Sequence, residues 1–141
     1  MTAVDTDAVR RRLLTDHSDV VRTVRDCAET AAATATEDDR TDTSAVRRGL
    51  EARLRARGVW ERLPNVLANC VEAAGKALRA QPVAAAPYVA ATATGVVLRA
   101  TLAGGRLVVV LEVLTVERGE RGAVLHPRDA PDGDLVRVEW R

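Results

Sequence analysis

The chain has 141 residues and a formal net charge of +1, with 47% hydrophobic and 29% charged side chains. This length and balance predict one globular domain, residues 1–141, with a helical part (1–81) and an antiparallel β part (88–141). They exclude a disordered chain, and the near-zero charge gives no general attraction to polyanions or membranes. Because no apolar run approaches the ~20 residues that cross a bilayer and no signal peptide is evident, we expect a cytoplasmic protein without a membrane partner.

The first predicted element is one long helix from Asp5 to about Ala35. From Leu13 to Ala31, apolar positions and His17 recur at alternating spacings of four and three residues, which is typical of a heptad seam on a helix. A histidine on such a seam is more often packed or part of an interface than catalytic. The acidic stretch that follows, residues 34–44, is predicted to be a polar connector.

A second helix is predicted from Ser44 to Gly58, and it contains five arginines in the twelve residues RRGLEARLRARG. Residues 43–81 hold 8 basic and 3 acidic side chains, so this third of the chain is locally positive. Arginines in the last turn complement the helix dipole, and a glycine after it forms the usual C-terminal cap, so an ordinary solvated helix explains most of them. The alternative is a nucleic-acid interface in which Arg47, Arg48, Arg55 and Arg62 contact phosphates.

The third predicted helix runs from Pro64 to Gln81 and is ended by Pro82. Extended segments follow, joined by a hairpin turn at Gly104-Gly105. In that register Leu102 lies opposite Leu107, and Arg99 lies diagonal to Glu112. Two shorter strands, at residues 123–126 and 135–141, complete a four-stranded meander, so the predicted fold is α+β, with about three N-terminal helices packed on one face of an antiparallel sheet.

The second face of the predicted sheet carries more apolar side chains than a water-facing surface requires. We therefore predict an interface with another copy of this chain or with another protein. The alternative is that the N-terminal helix covers this face within the same chain. The predicted interface residues are Val108, Val110, Leu114 and Val116.

The segments VWERLPNVLANCVEAAGKALRA and PYVAATATGVVLRATLAGGRLVVVLEVLTVER resemble small uncharacterised haloarchaeal proteins rich in Ala, Val, Thr, Asp and Arg. The likeness covers about residues 59–118. Such proteins have no assigned activity, so the resemblance implies no site residues.

The sequence offers little for catalysis or metal binding. Cys27 and Cys70 fall on apolar helix faces, and no cysteine or histidine spacing fits a zinc site, so we predict no metal, no cofactor, no catalytic residue and no small-molecule ligand. The prediction is a non-catalytic, self-associating interaction or scaffold protein. The alternatives are a nucleic-acid-associated protein using helix 44–58 and an enzyme with a site near His126, which lies in a loop.

Overall fold

The structure, a computed structural model, describes residues 4–35, 42–120 and 122–141, so most of the predicted acidic connector lies outside the described residues. The described helices are α1 (Thr6–Asp16), α2 (Ser18–Thr34), α3 (Thr43–Ala56) and α4 (Leu63–Ala73), and short 3-10 turns occur at Trp60–Arg62 and Asp132–Leu135. The strands are β1 (Val89–Ala91), β2 (Gly95–Leu102), β3 (Gly105–Glu112), β4 (Leu114–Gly119), β5 (Gly122–Pro127) and β6 (Val136–Trp140).

The prediction of a single N-terminal helix is wrong, because the helix is interrupted at His17 and forms two helices, α1 and α2. His17 has φ −125° and ψ 28°; its N–H donates to the Leu13 carbonyl and its carbonyl accepts from the Val21 N–H. The break lets α1 pack on α4 and β6 while α2 packs on α3 and β5. The heptad positions still face the core, so the pattern identified the buried side correctly and overestimated the length of the helix.

The helix break buries the imidazole of His17, which is 9% exposed. Its Nε2 atom is buried and has no hydrogen-bond partner among the described residues. Burial lowers the pKa of His17 below 6.5, although the nearby Asp16 and Asp19 carboxylates oppose this effect. The folded protein therefore favours the neutral imidazole.

We expect the free energy of unfolding to fall as the pH is lowered through 6.5 toward the lower pKa of the folded state. The reason is that the unfolded chain binds the proton first in this window. Urea denaturation at pH 7.5 and pH 5.5 measures the effect, and His17→Asn should show a smaller loss across the same window. An equal loss in His17→Asn would assign the pH dependence to other groups.

Helix α3 begins and ends largely where the sequence predicted. The Asp42 carboxylate caps its N-terminus by accepting from the Ser44 and Ala45 N–H groups at 3.0 and 3.2 Å. Gly58 (φ 73°) follows its last turn, as the sequence indicated. The predicted end of the third helix at Gln81 is wrong: α4 ends at Ala73, because Gly75 takes φ 73° and the Lys76 N–H returns to the Val71 carbonyl.

The predicted four-strand meander is wrong in its connections, although an antiparallel four-stranded sheet is present. Its order is β1-β2-β3-β6, and β4 and β5 form a separate two-stranded sheet. The long second strand of the predicted hairpin divides at Val113, where the Val113 and Leu114 N–H groups both donate to the Thr94 carbonyl at 2.9 Å. β3 is therefore free to pair with β6, and β4 turns away to pair with β5.

The predicted hairpin register is wrong by two residues. Leu102 pairs with Gly105, and the turn consists of Ala103 and Gly104, the latter with φ 86°. A shift of two residues keeps every side chain on its predicted face, because side chains alternate with a period of two. It does change the neighbours: Arg99 pairs across the strands with Val108, so the predicted pair of Arg99 with Glu112 does not form.

The inner face of the sheet and the four helices enclose one core cluster. The largest fully buried side chains are leucines contributed by both the helical and the β parts, among them Leu13, Leu50, Leu67, Leu98, Leu107 and Leu111. Trp60 is 2% exposed, and its indole N–H donates to the Ala84 carbonyl at 3.0 Å. The outer face of the sheet points away from this core.

Candidate binding surfaces

The four arginines predicted to contact phosphates differ in their surroundings. Arg62 forms an ion pair with Asp19 at 2.9 Å. Arg55 lies 3.5 Å from the Glu51 carboxylate, and its guanidinium stacks 5.0 Å from the centre of the Trp60 ring. These two positive charges are thus balanced within the fold.

Arg47 and Arg48 form no ion pair in the described part of the chain. Arg48 and Arg55 are seven residues apart in the sequence, which is about two helical turns. They therefore lie on one exposed stripe of α3, roughly 10 Å apart along its axis. Asp19 of α2 thus neutralises Arg62, whereas no acidic side chain in the described ranges forms an ion pair with Arg48.

A basic groove runs between α2 and α3, and we call it the α2–α3 groove. It consists of two adjoining depressions of about 220 and 230 Å³ that share Arg53. The lining residues include Thr30, Thr34, Arg48, Gly49, Arg53 and Arg57. None of the described lining side chains is acidic, so the groove presents three guanidinium groups and two hydroxyl groups.

Arg53 is held in the middle of the groove. One of its terminal nitrogens donates to the Thr34 hydroxyl at 2.7 Å. Its Nε atom is buried and finds no hydrogen-bond partner in the ranges that the structure describes. Gly49 brings the two helices close together, since a Cβ atom at this position would lie 3.9 Å from the Ala31 Cβ.

The two cysteines are not placed for nucleophilic chemistry. Cys27 lines the groove but is 2% exposed, and burial raises the pKa of its thiol even though Arg57 and Arg53 lie nearby. Burial raises the pKa of Cys70 to about 12. Both side chains are therefore thiols rather than thiolates at neutral pH.

The four residues predicted to form a protein interface lie in three different environments. Val108 and Val110 are 3% and 7% exposed on the outer face of the sheet, outside the core cluster. Leu114 belongs to the core, and Val116 on β4 is 43% exposed. The neighbouring strands place long side chains beside the outer valines, since Arg99 and Glu139 both pair with Val108. Self-association through this face stays a prediction.

His126 lies on β5, not in a loop as expected. Its Nε2 atom is 3.4 Å from the Glu117 carboxylate across the hairpin, and its side chain is 39% exposed. No group of three or more histidine, cysteine, aspartate or glutamate side chains is placed to hold a metal ion within the described ranges. No helix in the same ranges is long and apolar enough to cross a membrane. An enzyme site near His126 stays a prediction.

A second basic depression, which the sequence did not predict, lies at the edge of the outer sheet face. We call it the sheet cleft; its volume is about 270 Å³ and it is lined by Pro87, Tyr88, Arg99, Thr101 and Arg106. The observed register brings these residues together, because Tyr88 accepts from the Arg99 N–H and Thr101 pairs with Arg106. The predicted register placed Arg106 next to the turn, and this hid its proximity to Arg99.

The fold is an α+β domain whose described surface carries two basic depressions, the α2–α3 groove and the sheet cleft. The family model of a domain of unknown function, DUF7988, matches residues 7–141, and the chain belongs to this family. The expected likeness to an uncharacterised family is confirmed, while a haloarchaeal origin stays a prediction. No curated protein and no solved structure matches the chain.

Proposed function

We propose that this protein is a non-catalytic binding protein that contacts nucleic acid through the α2–α3 groove. The observation that carries the proposal is the charge of the groove. Arg48, Arg53 and Arg57 line it, and no acidic side chain does so among the described residues. Arginine binds phosphate oxygens through its planar fork of donors, and each neutralised phosphate releases counterions from the nucleic acid.

Arginines without an ion pair are the better candidates for phosphate contacts, because no acidic side chain balances their charge. Arg48 and Arg57 have none in the described part of the chain, unlike Arg55 and Arg62. Arg47 also lacks one, but it does not line the groove. The proposed contact residues are therefore Arg48, Arg53 and Arg57, which keeps one of the four predicted from the sequence.

The groove favours the backbone of a duplex over single-stranded bases. Binding of single strands relies on aromatic side chains on which bases stack, and no aromatic residue lines the groove within the described ranges. Trp60, the nearest candidate in sequence, is buried beneath Arg55. Contacts made only to phosphates carry no direct sequence information, so the binding should be insensitive to sequence.

The double variant Arg48→Gln/Arg57→Gln should bind a short labelled DNA duplex at least about tenfold more weakly than wild type at low salt. The slope of log K against log [salt] should become shallower by about 1.8, or about 0.9 for each lost phosphate contact. Fluorescence anisotropy between about 50 and 200 mM salt measures both quantities.

The matched control is Arg99→Gln/Arg106→Gln, which removes the same charge from the outer face of the sheet. It should bind the duplex as wild type does. If both double variants bind the duplex equally weakly, duplex binding depends only on the net charge of the protein. Either that result or an unchanged slope in Arg48→Gln/Arg57→Gln would contradict the proposal.

A further inference from the structure

We propose that the sheet cleft is a separate site that binds the phosphate group of a compact phosphate monoester. The proposal goes beyond the proposed contact with nucleic acid, because the cleft lies on the outer face of the sheet and the α2–α3 groove lies among the helices on the other side. The two sites share no residue.

The charge of the cleft points to an anion. Arg99 and Arg106 form no ion pair among the described residues, although two glutamates share the outer face with them. Glu112 already contacts Arg137 at 2.6 Å, and Glu139 contacts Arg137 at 3.1 Å. Glu139 also pairs with Arg141, and Glu112 pairs with Arg128. The acidic groups of this face are therefore neutralised by other arginines, which leaves the cleft positive.

The geometry lets two guanidinium groups reach the same ligand. Arg106 lies opposite Thr101, and Arg99 lies two residues before Thr101 on the same strand face. Such diagonal neighbours lie about 7–8 Å apart, a distance that two long arginine side chains span easily. The Tyr88 and Thr101 hydroxyls add two hydrogen-bonding groups to the same depression.

Arg99 carries a donor that the protein itself does not satisfy. Its Nε atom is buried and finds no hydrogen-bond partner in the described ranges. Buried donors of charged groups are costly to leave unpaired, so they point to a binding partner outside the chain. An oxyanion between the two arginines provides that acceptor when the Arg99 side chain turns toward the cleft.

Two observations identify the class of anion. A phosphate monoester carries a charge of about −1.5 to −2 near pH 7, which matches two arginines better than a carboxylate does. The volume of about 270 Å³ lies below the roughly 300–1,000 Å³ of pockets for drug-sized molecules, so the organic part of the ligand must be small. The Pro87 and Tyr88 side chains provide a less polar wall for that part.

The test is calorimetric titration of the full chain with methyl phosphate at pH 7.5. Wild type should bind one equivalent of methyl phosphate. Arg99→Gln/Arg106→Gln should bind it at least tenfold more weakly, which is a loss of about 1.4 kcal/mol of binding free energy for each factor of ten. Arg22→Gln/Arg79→Gln is the charge-matched control and should bind methyl phosphate as wild type does, because both arginines are exposed and line neither the cleft nor the α2–α3 groove. Acetate should bind at least tenfold more weakly than methyl phosphate.

A second readout reports on the cleft itself. The Nε–Hε resonance of Arg99 should shift on saturation with methyl phosphate, whereas a change in net charge alone would not move it. If the double variant does not fold, Arg106→Gln at an exposed position replaces it. Absence of binding, unchanged binding in the cleft variants, or acetate binding as tight as methyl phosphate would overturn the proposal; each result leaves the duplex measurement unaffected.

Discussion

Gly95→Ala should unfold the protein or remove about 3–5 kcal/mol of its stability, a large part of the roughly 5–15 kcal/mol typical of a folded domain. Gly95 starts β2 beside the end of β3, where it pairs with Glu112. A Cβ atom at this position would lie 1.8 Å from the Leu111 carbonyl oxygen and 3.3 Å from the Val113 nitrogen. Both are main-chain atoms, so the clash cannot be relieved by rotating a side chain.

Urea denaturation followed by circular dichroism measures this effect. Gly49→Ala is the matched control, because the added Cβ would meet only the Ala31 Cβ at an ordinary distance of 3.9 Å. Within helix α3 the change from glycine to alanine should stabilise the protein by up to about 1 kcal/mol. If Gly95→Ala behaves like Gly49→Ala, the close approach of β2 and β3 is not as described.

Leu111→Ala should cost about 2–5 kcal/mol, because it removes a fully buried side chain from the centre of the core. Leu111 is 0% exposed on β3, between Val96 of β2 and Val136 of β6. Because β3 is hydrogen-bonded to β2 on one side and to β6 on the other, the neighbouring residues can move only a little to fill the cavity.

The comparison for Leu111→Ala is Val116→Ala, which trims an aliphatic side chain that is 43% exposed on β4. Its free energy of unfolding, measured by urea denaturation, should change by less than about 0.5 kcal/mol. Equal losses in the two variants would show that the hairpin of β4 and β5 contributes as much as the four-stranded sheet, against the burial pattern.

The sequence predicted the fold class and the buried faces because these depend on local periodicity. Val46, Leu50 and Leu54 form the buried stripe of α3, and even a register error of two residues left the hairpin faces correct. Strand partners depend on contacts between distant segments. The choice of β6 rather than β4 as the neighbour of β3 follows from the turn at Val113, which has no strong signal in a run of valines and leucines.

The helix break at His17 and the early end of α4 were missed for different reasons. At His17 the apolar spacing continues without interruption, and no side-chain cap hydrogen bond marks the start of α2. At Gly75 a local signal was available, since a glycine after the last buried residue commonly ends a helix. The apolar Leu78 and the later Pro82 outweighed it in the prediction.

The sequence determines less about the surroundings of the candidate site residues than about the fold. The charge imbalance identified helix α3 correctly as basic, but ion pairs such as that of Arg62 with Asp19, 43 residues apart in the chain, cannot be deduced from spacing. The sheet cleft depends on the exact strand register, so the two-residue error concealed it. Surfaces that require long-range pairing are in general beyond local patterns.

The most direct test of the proposed function is a chemical-shift titration of isotope-labelled protein with a short DNA duplex at low salt. We predict that the largest amide shifts occur in the second half of α2 and in α3, from about Thr30 to Thr34 and from Arg47 to Arg57. Shifts confined to the sheet cleft around Arg99 and Arg106, or no shifts at all, would contradict the assignment of nucleic-acid binding to the α2–α3 groove.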